Sequence, residues 1–432
     1  MQEKEKNNYV SNSMWMLLEK SARIISGILV GVLVVRYLGA AQYGILTYGL
    51  GIIAILTIFS TLGLDSLVIR ELITRSKHKH KILGTAFWLR FVGSIIVVAG
   101  ACFYSSMRDP ISTTYIVFLL SVSIVFQSFN VIDMYFQSEV KGKLTAMNQV
   151  ITLFLSALVK IYLIYANAPL EWFATMAALE AGLSALIQYI FYKQQGQHIR
   201  LWRFSTLEAK HLLLLAIPLI LSSFIQLFYQ NVDAILITRF LRDMSQVGQY
   251  GAGVRISQAA YFIPVAICAA VFPGIINNRE NKPLQLKRLT QLYSLMIWGA
   301  ICIIAGGMLL GDFVINFLYG AKFPNAPIIF KIHIWVSLPV FWGTAWGMWM
   351  LAIQKQKYVL WMQILNAILI IGSEFILIPR LGINGAAYSL VLGSYVAFIF
   401  MVMAYKPKEG LLLFWHALHP KNILEVIRYS KS

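Results

Sequence analysis

Charged side chains inside apolar stretches are the residues of this sequence whose type and position could do chemistry. A charge at the centre of a bilayer costs about 3 kcal/mol on insertion scales, so such a residue faces a water-filled cavity, pairs with an opposite charge or extends to the interface. The basic residues in apolar runs are Lys20, Arg23, Arg90, Lys160, Arg255 and Lys331. The acidic ones are Glu19, Asp133, Glu180, Asp233 and Glu374, with Asp65 near the end of a run.

The positions of the basic residues divide them into groups. Lys20 and Lys331 lie near the ends of their runs, where a long side chain reaches the headgroups at little cost. Arg23 lies one helical turn from Glu19, a spacing that favours a local pair. The remaining three have no acid three or four residues away, and guanidinium and ammonium groups bind phosphate oxygens well. We expect a cationic cleft for an anionic substrate, with these candidates: Arg23, Arg90, Lys160 and Arg255.

The acidic residues allow two interpretations. A carboxyl in a low dielectric can load and release a proton or sodium ion, or it can neutralise a buried cation. Both interpretations stay open for Asp233, and neutralisation is favoured for Glu374. Gln226 and Gln230 precede Asp233 at helical spacing and predict a polar stripe that faces the cleft. The candidates for ion coupling or charge pairing are Asp133, Glu180 and Asp233.

Trp342, Trp346 and Trp349 follow one another at i, i+4 and i+7. Such a stripe could stack on sugar rings, but packing or lipid contact is the favoured interpretation for tryptophan in a membrane helix.

The spacing of the cysteines and histidines predicts neither a metal site nor disulfide bonds. The three cysteines all lie in apolar runs, without metal-ligand spacing. His78 and His80 stand in a basic loop, and without a nearby cysteine or further histidine they are expected to be solvated. We therefore expect neither a metal nor a cofactor.

The composition predicts an integral membrane protein. AVILMFWYC residues make up 59% of the 432 residues, charged residues 12%, and the mean hydropathy is +0.70. A membrane helix needs about 20 apolar residues. We predict no removable signal peptide at the N-terminus. Pro218, Pro264 and Pro339 predict bends in their helices. Twelve helices are predicted at 13–35, 43–64, 82–106, 113–136, 144–166, 171–192, 212–237, 247–275, 289–311, 326–353, 358–378 and 383–404.

Lysine and arginine in the short loops predict the orientation. They concentrate in the loops on the N-terminal side, which places both termini in the cytoplasm. This asymmetry explains most of the net charge of +18 without a nucleic-acid partner. The C-terminal tail, too short to span, is expected on the inner surface as an amphipathic segment. The opposite loops hold Arg36, Arg108, Arg239, Arg242, Lys322 and Arg380.

A turn motif occurs twice, as VRYLGAAQYG at 35–44 and TRFLRDMSQVGQYG at 238–251. Each copy follows the first helix of a set of six, so both lie on the external side as turns and interface anchors. Parallel repeats of this kind are one plan of secondary transporters, with the pathway between the halves. We predict a six-helix lobe at 1–191, a cytoplasmic linker at 192–211, a second lobe at 212–404 and a tail at 405–432.

Several stretches, in this order, carry a family resemblance over essentially the whole chain: VRYLGAAQYGILTY, LGLDSLVIREL, DMYFQSEVKGKLTA, YQNVDAILI, VGQYGAGVRI and IPRLGINGAAYSL. The sequence resembles the polysaccharide flippases of the multidrug/oligosaccharidyl-lipid/polysaccharide (MOP) exporter superfamily, most closely the Wzx type. Met134 and Ser138 depart from the aromatic-glycine pattern that the family often has.

The resemblance implies an all-α, MATE-like fold with two lobes around a central cleft, in the bacterial inner (cytoplasmic) membrane. It implies alternating-access transport of oligosaccharide repeat units on undecaprenyl diphosphate, for O-antigen of lipopolysaccharide or for capsule. The expected partners are this lipid-linked oligosaccharide, membrane lipids, H⁺ or Na⁺ as coupling ion, and the polymerase and chain-length proteins of the pathway.

Other function classes fit the sequence less well. A cation-coupled drug antiporter of the same superfamily needs an acid-dominated lumen, whereas basic residues outnumber acids in these spans. A membrane polymerase or ligase needs an external platform and catalytic groups, and the external loops are short and carry no catalytic triad or phosphate-binding glycine loop. A peptidoglycan-precursor flippase usually has more than twelve spans.

Overall fold

The computed structural model describes the backbone of residues 2–419 and the side chains of residues 27, 29–217 and 220–419. This part of the chain is helical and contains no strand. The α-helices are α1 (Gln2–Thr61), α2 (Leu64–Thr74), α3 (Lys79–Ser106), α4 (Ile111–Gln127), α5 (Val131–Ser138), α6 (Gly142–Tyr165), α7 (Leu170–Gln194), α8 (Thr206–Leu241), α9 (Met244–Gln258), α10 (Phe262–Ile276), α11 (Lys282–Tyr319), α12 (Ala326–His333), α13 (Ser337–Ala352), α14 (Gln356–Leu381), α15 (Ile383–Met403) and α16 (Pro407–Leu418).

Eleven helical segments among the described residues are long and apolar enough to cross a membrane, the first at Leu29–Thr74 and the last at Ile383–Met403. The predicted all-α membrane fold is therefore confirmed. The predicted first turn, between 35 and 43, is reduced to one non-helical residue inside α1, Gly39, with φ 71° and ψ 174°. Lys20, Arg23 and Glu19 lie outside the residues whose side chains are described.

Two of the predicted bends coincide with interruptions in the helices. Proline has no N–H, so Pro264 leaves the carbonyl of Ala260 without its helical partner, and Pro339 does the same to Trp335. Both carbonyls lie in short 3₁₀ turns, which separate α9 from α10 and α12 from α13. The side chain of Pro218 is not among those described.

The contacts divide the chain into two compact units, Met1–Ile235 and Leu236–Ser432. In the first unit, apolar side chains of α2, α3, α5 and the start of α8 form a buried cluster. In the second unit, the cluster is formed by α10, α11, α13, α15 and α16. Large apolar side chains such as Ile111 and Leu309 remain exposed on the outer helix faces, as expected of a protein solvated by lipid.

The segment predicted as a linker, 192–211, is closely packed within the first unit. The backbone N–H of Arg203 donates to the carbonyl of His80 at 3.1 Å. A Cβ on Gly84 would lie 2.6 Å from the Arg203 nitrogen, so this approach of the segment to α3 requires glycine. The indole N–H of Trp202 donates to the Tyr192 hydroxyl at 3.1 Å. The start of α8 is thus fixed to α3 and α7.

The segment after α15 forms the short helix α16, and its predicted place at the inner membrane surface stays a prediction. Ala417 is buried against the second unit, while Leu411, Leu412 and Trp415 are exposed. An apolar outer face on a helix that packs with its inner face is typical of a position at the membrane interface. The part of the predicted tail at 420–432 lies outside the described residues.

Candidate functional site

Arg90 forms an ion pair with Asp65 inside the first unit. The chain turns at Leu62 and Gly63, both with positive φ, and α2 then begins with Asp65 in its first turn, where a carboxylate is favourable. Arg90 donates from Nη1 to Asp65 Oδ1 at 2.7 Å. The Arg90 side chain is 2% exposed and that of Asp65 is 61% exposed. The guanidinium is therefore buried, and its charge is compensated by a carboxylate that reaches water.

Lys160 forms a second pair, with Glu180, across α6 and α7. Lys160 Nζ and Ser156 Oγ both donate to Oε1 of Glu180. The side chains of Lys160 and Glu180 are 27% and 32% exposed, so the pair lies at the surface of the first unit. An ammonium group has three donors, and Glu180 uses one of them. The pair therefore retains capacity to bind an anion.

The other candidates of the first unit are polar groups with local partners. Asp133 accepts a hydrogen bond from Nε2 of Gln137 at 2.8 Å. Asp233 is 6% exposed, and its Oδ1 accepts from the backbone N–H of Ala234 at 2.9 Å. Gln226 and Gln230 are exposed within an apolar span, and their position in a cleft stays a prediction. Within the described residues no group of three or more His, Cys, Asp and Glu could hold a metal.

In the second unit, Arg255 is exposed on α9 and Glu374 is fully buried on α14. The structure therefore brings together Arg90 with Asp65 and Lys160 with Glu180. The cleft formed jointly by the four predicted cations stays a prediction. Sequence spacing missed Asp65 as the partner of Arg90 because only acids three or four residues away were considered, and these two residues are 25 apart.

The two copies of the turn motif are held by neighbouring turns of their own units. In the first copy, the Tyr37 hydroxyl donates to the carbonyl of Ala168, in the turn between α6 and α7, at 2.8 Å. In the second copy, Gln249 Nε2 donates to the carbonyl of Lys322, in the turn between α11 and α12, at 3.3 Å. Gln249 Oε1 accepts from the backbone N–H of Asn325 at 3.1 Å. These contacts agree with the interpretation of the motif as a structural turn.

Comparison with known proteins supplies the family. Residues 33–327 match the family model described as polysaccharide biosynthesis protein. The chain belongs to this family. No curated protein matches the chain.

Several solved structures have the same fold as this chain. A structure of the lipid II flippase MurJ in an inward closed conformation is 16% identical, with a TM-score of 0.74, over 96% of this chain and 93% of that one. An inward-facing MATE family multidrug resistance transporter of the MOP superfamily is 15% identical, with a TM-score of 0.64, over 91% and 95%. The Vibrio cholerae MATE transporter VcmN is 13% identical, with a TM-score of 0.60, over 96% and 99%. The expected MATE-like fold is confirmed, whereas membership of the MOP superfamily and the Wzx type stay predictions.

A charge network that the sequence did not reveal joins α2 to the start of α8 in this polysaccharide biosynthesis protein. Arg75 donates from both terminal nitrogens to the two oxygens of Glu208, and from Nε to Glu71 at 2.7 Å. His211 Nε2 lies 3.7 Å from the same Glu71. The hydrogen bond that Arg75 donates to Glu208 raises the pKa of Arg75 above its ordinary value. The network holds the start of α8 against α2.

Replacing Glu208 with glutamine is expected to lower the stability of the protein by about 1–3 kcal/mol, towards the lower end because Arg75 is one-third exposed. The midpoint of thermal aggregation in detergent measures this change. Glu171→Gln is the matched control, since Glu171 is also in the first turn of a helix, α7, but has no ion pair among the described residues. Equal midpoints for the two variants would contradict the proposed role of the network.

Proposed function

We propose that this protein is a flippase that moves undecaprenyl-diphosphate-linked oligosaccharide repeat units from the cytoplasmic to the periplasmic leaflet. We propose alternating access coupled to H⁺ or Na⁺, in the bacterial inner membrane, for the synthesis of O-antigen or capsule. The observation that carries the proposal is a family match to polysaccharide biosynthesis in a chain whose described part consists of membrane-crossing helices. Such a chain is suited to moving a polysaccharide precursor across the membrane rather than to assembling it.

The fold supports a lipid-linked substrate. MurJ, which is called a lipid II flippase, has this fold over nearly its whole length. The pyrophosphate and sugars of such a substrate are strongly hydrated and need a polar path, whereas the polyprenyl chain can stay in the bilayer. The proposed binding groups for the pyrophosphate are the predicted cations Arg23, Arg90, Lys160 and Arg255.

Lys160 and Glu180 offer a way to exchange the substrate for a partner within the protein. In the proposed mechanism, the substrate phosphate and the Glu180 carboxylate compete for the ammonium group of Lys160. When the phosphate leaves, Lys160 returns to Glu180, and the empty site carries no unpaired charge. Ser156 keeps its hydrogen bond to Glu180 in both states, so the carboxyl group stays in place.

The test is a leaflet assay in cells that lack their own repeat-unit flippase. The wild-type protein is expected to make the lipid-linked sugar accessible to a membrane-impermeant lectin in spheroplasts. Vesicles without the protein set the background. An unchanged lectin signal at normal protein level would overturn the proposal.

A cation-coupled multidrug antiporter is the second candidate, because MATE transporters share the fold. The same cells, loaded with a fluorescent cationic drug, distinguish the two. Efflux of the drug without lectin labelling would select the antiporter, and lectin labelling without efflux the flippase.

The proposed orientation has its own test. Gly196 is exposed in the turn after α7, with positive φ and nothing within 4 Å of a Cβ at that position, so a fusion there disturbs no packing. A reporter active only in the cytoplasm is expected to be active after Gly196, because the basic loops are predicted to stay inside. A second fusion after Asn167, in the turn between α6 and α7, serves as the opposite-side control and is expected to be inactive. The reverse pattern would overturn the orientation.

A further inference from the structure

The second unit contains a cavity of about 530 Å³ at the end where α10, α13 and α15 terminate and α11 begins. Its wall is aromatic and aliphatic: Trp342, Trp346, Trp349 and Tyr293 line it, with Leu289 beside them. The tryptophan stripe is therefore packed within this unit, as favoured from the sequence, and the rings of Tyr293 and Trp342 are 4.1 Å apart. Pockets that hold small ligands have volumes of about 300–1,000 Å³.

The rim of the cavity is cationic. Arg279 lines it from the turn before α11, Lys282 from the first position of α11, and Lys406 from the turn before α16. Lys406 is paired with Glu409 at 2.7 Å. Arg279 and Lys282 are exposed and have no ion pair in the described part of the chain. The rim therefore carries uncompensated positive charge beside an apolar interior.

The helix α16 closes one side of the cavity. A Cβ on Gly410 would be 2.0 Å from the carbonyl oxygen of Val402, so α16 contacts α15 too closely for any larger residue at this position. The outer face of α16 is apolar and exposed, with Leu411, Leu412 and Trp415. Leu286, which lines the cavity, is also exposed. The wall of the cavity thus reaches an exposed apolar surface.

We infer that this cavity binds an anionic phosphate-bearing lipid, with an apolar chain against Trp342, Trp346 and Trp349 and the phosphate at Arg279 and Lys282. The apolar interior matches the hydrocarbon chain of such a lipid, and the cationic rim matches its phosphate charge. The opening at the exposed apolar surface would let the lipid enter from the bilayer. Two lipids share this chemistry, a bilayer phospholipid such as phosphatidylglycerol and a polyprenyl phosphate. The inference concerns binding alone and holds or fails independently of transport.

The experiment is photolabelling of the full chain in nanodiscs. One arm contains phosphatidylglycerol with a diazirine in its chain, the second polyprenyl phosphate with the same group, and the third the zwitterionic phosphatidylcholine analogue. Labelled peptides are mapped by mass spectrometry. We expect label on residues 342–353 and 401–413 from at least one anionic lipid, at several times the level from phosphatidylcholine. The arm that gives the label identifies the lipid source.

The variants test the charge and the cavity separately. Arg279→Gln with Lys282→Gln changes only exposed groups and is expected to reduce the label at these peptides several-fold. Lys193→Gln with Arg200→Gln is the matched control, because these exposed cations lie in the first unit and have no described ion pair. Trp346→Phe removes part of the apolar wall that the chain contacts and is expected to reduce the label at these peptides, less than the rim variant does. The inference is wrong if the double rim variant labels like wild type, if phosphatidylcholine labels equally, or if label falls only on outer helix faces.

Discussion

Replacing Asp65 with asparagine is expected to destabilise the protein far more than replacing its partner, Arg90, with methionine. Asp65→Asn leaves a guanidinium that is 2% exposed without a counter-charge, and breaking a buried pair in this way costs about 3–5 kcal/mol. We expect about 3 kcal/mol, because Asp65 is mostly exposed and the pair is partly screened. Arg90→Met leaves only the carboxylate, which water already solvates, and places an apolar side chain in a buried site.

Thermal aggregation in detergent and the amount of protein in the membrane measure this asymmetry. The double variant with both substitutions is expected to be close to Arg90→Met alone, since it contains no unpaired buried charge. Glu171→Gln, also in the first turn of a helix, is the control for loss of a helix-terminal acid. Equal losses for the two single variants would show that Arg90 is not buried as described. The lectin assay on folded Arg90→Met then tests whether this cation also takes part in export.

The helices could be predicted from the sequence because a membrane helix is defined by residues that are consecutive in the chain. About 20 consecutive apolar residues define a span without knowledge of its neighbours, and the predicted spans fall on described helices. The same holds for the bends at Pro264 and Pro339, where the missing N–H acts within one turn. The helical ends are less predictable, and α11 begins at Lys282 rather than at the predicted 289 because Asn281 caps it.

The ion pairs could not be predicted in the same way because they join residues far apart in the chain. Arg75 and Glu208 are separated by 133 residues, and Lys331 pairs with Asp312 on α11 instead of only extending to the interface. The linker at 192–211 was polar in composition, yet Trp202 and Arg203 pack on α7 and α3. A list of charged residues without local partners therefore overstates how many of them are unpaired in the fold.

Lys160 could serve only to neutralise Glu180, or it could bind the substrate, and variants of Lys160 distinguish these two roles. Lys160→Ala is expected to abolish repeat-unit export at unchanged protein level, because the proposed pyrophosphate contact is lost. Arg255→Ala is expected to have the same effect. Export is measured by surface polysaccharide in cells lacking the chromosomal flippase, and Lys193→Ala, an exposed lysine outside the proposed cleft, is the control. Full complementation by both variants would remove the cationic cleft from the mechanism.

The double variant Lys160→Ala with Glu180→Ala distinguishes the two roles of Lys160. If Lys160 served only to neutralise Glu180, removing both would restore export, since the remaining site carries no unpaired charge. If Lys160 binds the substrate, the double variant stays inactive, because no cation replaces the lost one. Glu180→Gln alone keeps Lys160 and a hydrogen-bonding partner for Ser156, but its neutral amide competes less with phosphate for the ammonium group. We expect this variant to bind substrate more tightly and to export it more slowly than the wild type, because release of the phosphate is slower.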